Sequence, residues 1–120
     1  MIQLTDSVKQ YLETALWSST GDDEEPLDSA AYADTTISDE LWTKATGDCN
    51  VFMQKAGAMI DEHDDPTMWA HDFWLTRNGH GAGFWDGDWP INGDALTALA
   101  KSFGGVDLYV GDDRKIYQMQ

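Results

Sequence analysis

The chain is predicted to be an α+β protein: an antiparallel sheet of about four strands, formed as two hairpins, packed with about three helices in the order α-α-β-β-α-β-β. Three observations carry this. Apolar residues recur with helical period in the first half of the chain. In the second half, aromatic or β-branched runs flank turn sequences rich in Asn, Asp and Gly. Helices and strands do not alternate strictly, which argues against a parallel, doubly wound sheet. Of the 120 residues, 42% are hydrophobic and 12% aromatic, with six Trp, so an ordered core is expected rather than a disordered acidic tail. The length suits one domain, residues 1–120.

The first helix is placed at about residues 7–18. Val8, Tyr11, Leu12, Ala15 and Leu16 form one apolar stripe, Ser7 and Gln10 read as a capping box, and Ser18-Ser19-Thr20-Gly21 ends the helix. Residues 19–37 read as a long loop carrying Asp22-Asp23-Glu24-Glu25-Pro26, where adjacent carboxylates repel. A second helix is predicted over 39–62, capped by Ser38, with Asp39 and Glu40 at its positive end; a break near Gly47 is the alternative to one continuous helix. Its stripe runs from Leu41 through Ala45, Cys49, Phe52 and Ala56 to Ile60.

After Pro66 the pattern changes. Phe73 and Leu75 alternate with Trp74 and Thr76 ahead of Asn78-Gly79, a strong hairpin signal, so strands are placed at 71–77 and 82–86. A helix from Pro66 to Arg77 competes with that reading. Residues 86–93 are turn-rich. A third helix fits 93–103, with Leu96, Leu99, Ala100 and Phe103 on one face and Asp94 at its start. Residues 106–110 and 115–119 alternate around Gly111-Asp112-Asp113-Arg114 as a second hairpin.

The charge excludes several classes of partner. The chain carries 22 acids against 7 bases, net −15. Residues 1–65 hold 15 acids and 3 bases, net −12, while residues 66–120 carry only −3. Such a surface does not bind nucleic acid through a phosphate-neutralising basic patch, nor an anionic membrane. It suits a basic protein surface, multivalent cations, or solubility alone. No apolar run long enough to span a membrane occurs, and Met1–Asp6 lacks the basic and apolar regions of a signal peptide. Cys49 is the one cysteine, which fits a reducing, cytoplasmic setting and a small buried side chain.

No catalytic constellation is specific. His71, Asp72, His80 and Asp86 are candidate metal ligands or proton carriers, but their spacing matches no zinc signature. Gly79, Gly81 and Gly83 lack the Lys-Ser/Thr of a phosphate loop and the third glycine of the dinucleotide fingerprint. Asp86, Asp88, Asn92 and Asp94 fail the EF-hand pattern, because Pro90, Ile91 and Thr97 stand where that loop needs an oxygen ligand, a glycine and a glutamate. No nucleophile stands out, so no enzyme and no cofactor are expected. The acidic set instead offers a recognition face: Asp22, Asp23, Glu24, Glu25, Asp28, Asp34, Asp39, Glu40, Asp61, Glu62, Asp64 and Asp65. Spread over a small domain, these carboxylates would imitate duplex DNA, which presents one negative charge per roughly 1.7 Å of axis. The competing reading is that the charge serves solubility alone. Trp85 and Trp89 are read as exposed aromatic anchors for a partner.

The segment His71-Asp72-Phe73-Trp74-Leu75-Thr76-Arg77-Asn78-Gly79-His80-Gly81-Ala82-Gly83-Phe84-Trp85-Asp86 resembles a family of small acidic proteins encoded by tailed bacteriophages. Tyr11–Ser19 and Phe103–Tyr117 resemble the same family, so the likeness covers most of the chain. It carries over no activity and no site residues. It implies a phage product acting in the host bacterial cytoplasm, or a minor virion component. The sequence therefore leads to a non-enzymatic accessory protein that binds a basic host protein, such as a defence or nucleic-acid-handling enzyme, through its acidic face. A small metal-dependent protein centred on His71, Asp72, His80 and Asp86 is the alternative from a different class, and a structural phage component is the third.

Overall fold

The computed structural model describes residues 4–21, 24–79, 83–85 and 87–119. Among them run α1 (Leu4–Ser18), β1 (Thr36–Ile37), α2 (Asp39–Ala56), α3 (Met68–Arg77), α4 (Gly93–Lys101), β2 (Leu108–Val110) and β3 (Lys115–Gln118), with 3-10 turns at Ala30–Tyr32 and Gly57–Glu62. The fold is α+β, but its sheet is not the four-stranded antiparallel one expected. It has three strands in the order β1-β3-β2, with β1 parallel and β2 antiparallel to β3. Among the described residues, four α-helices replace the expected three.

The main correction concerns residues 71–77, which form most of α3 rather than a strand. Eight of its ten residues are buried, from Trp69 to Arg77. A helix covered on nearly all sides loses its polar face, and with it the 3.6 period that distinguishes helix from strand. Asn78-Gly79, taken as a hairpin turn, ends this helix instead. Gly79 has φ 72° and its N–H donates to Thr76 O (3.1 Å), a left-handed C-cap. The hairpin turn and this cap both require a residue tolerant of positive φ, so the dipeptide fits either. The other half of the expected hairpin, 82–86, lies partly outside the described residues, and Gly83–Trp85 form a bend and turn rather than strand.

Smaller differences follow the same logic. α1 begins at Leu4, so Ser7 is a buried residue inside the helix and not its cap. Ser38 caps α2 as expected, its Oγ accepting from Leu41 N–H at 3.0 Å. The α-helix stops at Gly57 (φ 56°) rather than breaking at Gly47, and the 3-10 turn carries the chain on to Glu62. The expected loop 19–37 contains β1, two residues held by pairing Thr36 with Lys115 and Ile37 with Ile116. The second hairpin is present, with Tyr109 opposite Tyr117. The helix at 93–103 ends at Lys101.

One apolar cluster joins these elements. Its centre is Phe52 of α2, which lies 4.2 Å from Phe73 and 5.7 Å from both Trp69 and Phe84, ring centroid to centroid. α1 packs on α3 and α2, α4 covers α3, and the sheet leans on α2 through β3. Cys49 is buried in this core, and burial pushes its thiol well above the usual range, which suppresses the reactive thiolate.

Candidate functional site

The segment richest in polar candidates is α3 and its C-terminal cap, and most of its polar groups have internal partners. Arg77 is buried at the helix end. Its Nε donates to Gly104 O (2.8 Å), Nη2 to Phe103 O (3.1 Å), and Nη1 both to Tyr11 Oη (3.0 Å) and to Asp48 Oδ2 (2.7 Å). The guanidinium also lies 5.3 Å and 5.6 Å from the Phe73 and Phe103 ring centres. One side chain thus ties α1, α2, α3 and the segment after α4 together. Burial raises the Tyr11 hydroxyl far above its ordinary pKa, partly offset by Arg77, so it remains protonated and keeps a proton to donate.

Asp72 is buried one turn earlier. Its Oδ2 accepts from Trp89 Nε1 (2.7 Å), and its Oδ1 lies 2.9 Å from His71 Nδ1. Thr76 Oγ1 accepts from Phe84 N–H (3.1 Å), Asn78 Oδ1 accepts from Val106 N–H (2.7 Å), and Trp74 Nε1 donates to Ser18 Oγ (2.8 Å). The polar residues of this segment therefore anchor distant loops to a central helix. Of the four candidate ligands, His71 and Asp72 touch each other, while His80 and Asp86 lie outside the described residues. No three metal-ligating side chains converge among the described residues.

Trp89 is not an exposed anchor. It is 3% exposed, and its indole N–H is held by Asp72. A loop of Asp, Gly and Pro suggested exposure, but a tryptophan with a buried carboxylate to bond can be drawn inward from such a loop. Trp85 is 40% exposed, with Lys101 Nζ 5.7 Å from its ring centre.

The acidic set is on the surface. Glu24, Glu25, Asp28, Asp34, Asp39, Glu40, Asp61, Asp64 and Asp65 are exposed and Glu62 is half-buried, while Asp22 and Asp23 lie outside the described residues. They do not form one continuous face. Asp39 and Glu40 begin α2, whereas Asp61 to Asp65 follow its far end. Sixteen helical residues after Glu40 carry α2 about 24 Å along its axis before the 3-10 turn that leads to the second group. Asp34 joins the first pole, where its carboxylate binds Arg114 by two hydrogen bonds (3.0 and 2.6 Å), which hold Asp34 below the usual carboxylate range. Asp113 accepts from Tyr117 Oη at the same end, which raises Tyr117 to about 12.

At the second pole, Glu62, His63, Asp64, Asp88, Pro90 and Ile91 line a shallow recess of about 420 Å³. Glu62 also has a structural task that sequence reading missed. Its carboxylate accepts from the N–H groups of Ile91 (2.7 Å) and Asn92 (2.8 Å), just before α4 begins. Desolvation acts to raise its pKa, and these two donors outweigh it and hold the group below the usual range. The sequence signal for this was slight, because the carboxylate and the helix it caps are far apart in the chain.

No family model, curated protein or solved structure matches this chain. No helix among the described residues is long and apolar enough to cross a membrane.

Proposed function

We propose that this chain is a non-enzymatic phage accessory protein that acts in the host cytoplasm by binding a basic, nucleic-acid-handling host protein. The observation that supports this best is the division of its charge. The buried polar residues that would attract a catalytic reading, Asp72, Thr76 and Arg77, are engaged with the chain's own backbone and side chains. The carboxylates outside are exposed, and only 7 basic residues are present to balance 22 acids. A field of that sign speeds encounter with a cationic surface and loses strength with salt. The phage origin rests on the resemblance of residues 71–86 and of the two flanking segments.

The test is affinity capture from host lysate over a salt series, followed by competition with duplex DNA. The expected result is a partner that is released as salt rises and that DNA displaces. Absence of any salt-sensitive partner overturns the reading. Recovery of the chain in purified virions would favour a structural component instead.

A further inference from the structure

The edge of the sheet carries a second kind of complementarity, formed by backbone rather than charge. In the β2–β3 hairpin, Gly111 N–H donates to Lys115 O (2.8 Å) and Met119 N–H to Asp107 O (2.7 Å). Residues 107, 109 and 111 therefore turn their backbone toward β3, and the alternation of an antiparallel ladder turns Leu108 and Val110 the other way, to the open edge. A second short pairing faces them. Leu27 N–H donates to Ser19 O and Gly21 N–H to Glu25 O, both at 3.0 Å, around the Thr20–Pro26 bridge. By the same alternation Thr20 turns its N–H and C=O away from Pro26. Among the described residues, no hydrogen bond occupies the backbone N–H or C=O of Leu108, Val110 or Thr20.

Between these two edges lies a trough. One recess of about 730 Å³ runs from Thr20, Gly21 and Tyr32 to β2, and an adjoining one of about 310 Å³ continues past Ser18 and Asn78 to Val106. Thr20 and Leu108 line both. Its outer lip carries Tyr109 and Met119, 42% and 56% exposed. Asp107 and Asp112 are exposed along the same strand and its turn, and Glu24 and Asp28 on the facing loop. Arg114 also lines the larger recess, with its charge already paired to Asp34.

We propose that this trough is a strand-addition site, which takes an extended, lysine- or arginine-rich segment of the partner protein between β2 and the Thr20 edge. Strand addition draws affinity from main-chain hydrogen bonds and specificity from alternate side chains. Here unbonded backbone is present both on β2, at Leu108 and Val110, and at Thr20, and Leu108 and Thr20 line the same recesses. The acidic flanks select a cationic segment, and the net charge of −15 on each copy disfavours self-pairing through the same edge. The inference rests on the reading of the chain as a binder of a basic protein and specifies where one segment of that partner sits.

The experiment uses the full chain, isotope-labelled, and an end-capped peptide of alternating lysine and valine, with a second peptide of identical charge N-methylated at each valine. The expected result is that the parent peptide shifts the amide signals of Thr20, Leu108 and Val110 and slows their hydrogen exchange. Affinity should fall about tenfold with the N-methylated peptide, and likewise in the Val110→Pro variant, which removes one outward-facing donor. Equal binding of both peptides would assign the attraction to charge alone; that overturns the strand site and leaves host-protein binding intact. Failure of the parent peptide to bind also overturns the strand site, while capture from lysate tests the wider reading separately. A dimer of the free chain that Val110→Pro abolishes would overturn it in favour of a second copy at that edge.

Discussion

Two polar populations in this molecule behave in opposite ways. Arg77, Asp72 and Thr76 lie inside and are each held by named partners, so they tie three helices to one another and to the loops around them. Asp39, Asp61 and Asp64 lie outside, Asp39 at the start of α2 and the other two past its far end, and none of them ties one element to another. The difference teaches that residue chemistry alone does not mark a functional group. The histidine-, aspartate- and arginine-containing segment has the look of a site and serves as a frame, whereas the acidic stretches lie mostly on the surface.

The sharpest way to break that comparison is to remove the buried arginine. Arg77→Met leaves Asp48, the Tyr11 hydroxyl and two backbone carbonyls without their shared donor. Arg77 is buried but Asp48 is 35% exposed, so the loss approaches without reaching the roughly 3–5 kcal/mol of a fully buried pair broken from one side, and urea unfolding is expected to show a large fall in midpoint. A fall no larger than that of a surface substitution would show that the Arg77 network is not what holds the helices together.

Asp72 gives a smaller effect of the same kind. Asp72→Ala leaves the buried Trp89 indole N–H unsatisfied, which costs about 1–3 kcal/mol. Asp72→Asn keeps an acceptor and should lose less. Thermal unfolding followed by tryptophan fluorescence separates the two, and the Trp89 region should become more exposed to quencher in the alanine variant. Equal losses would mean that the negative charge, not the hydrogen bond, matters there.

How much of this was legible in the sequence depended on the distance over which each residue is held. Ser38 with Asp39 and Glu40 marked the start of α2, because a cap is a local device. The hairpin around Gly111–Arg114 was equally local. α3 was misread because its neighbours surround it, so burial erased the periodicity on which the reading depends. β1 was invisible: a two-residue strand exists only through its parallel partner near the other end of the chain. The same distance hid the roles of Arg77, whose partners come from α1, α2 and the segment after α4, and of Glu62, which caps a helix some thirty residues on. The acidic composition was plain from the sequence, but its division into two poles needed the length of α2 between them.

Glu62 stands on the border between the two populations, and pH exposes its role. Its folded-state pKa is depressed, so its stabilising contribution is present above the unfolded carboxylate range and is lost as pH falls through the lower, folded value. Glu62→Gln should therefore be less stable than the parent near neutral pH, and the two denaturation midpoints should converge in acid. Parallel curves across the whole range would show that the carboxylate at Ile91 and Asn92 contributes no charge-dependent capping.

The smallest effect on stability is expected at the acidic poles, and its sign should differ between them. Asp61 and Asp64 crowd the second pole with like charge, so Asp61→Asn with Asp64→Asn should leave the urea midpoint unchanged or slightly raised. Asp39 and Glu40 occupy the first turn of α2, where negative charge is favoured by the helix dipole. Asp39→Asn with Glu40→Gln should therefore lower the midpoint slightly, and the difference between the pairs should shrink in high salt, where exposed charges are screened. Both double variants should associate more slowly with a captured partner at low salt. If either pair lowers stability as much as Asp72→Ala, the surface carboxylates belong to the frame after all, and the division between interior and exterior charge fails.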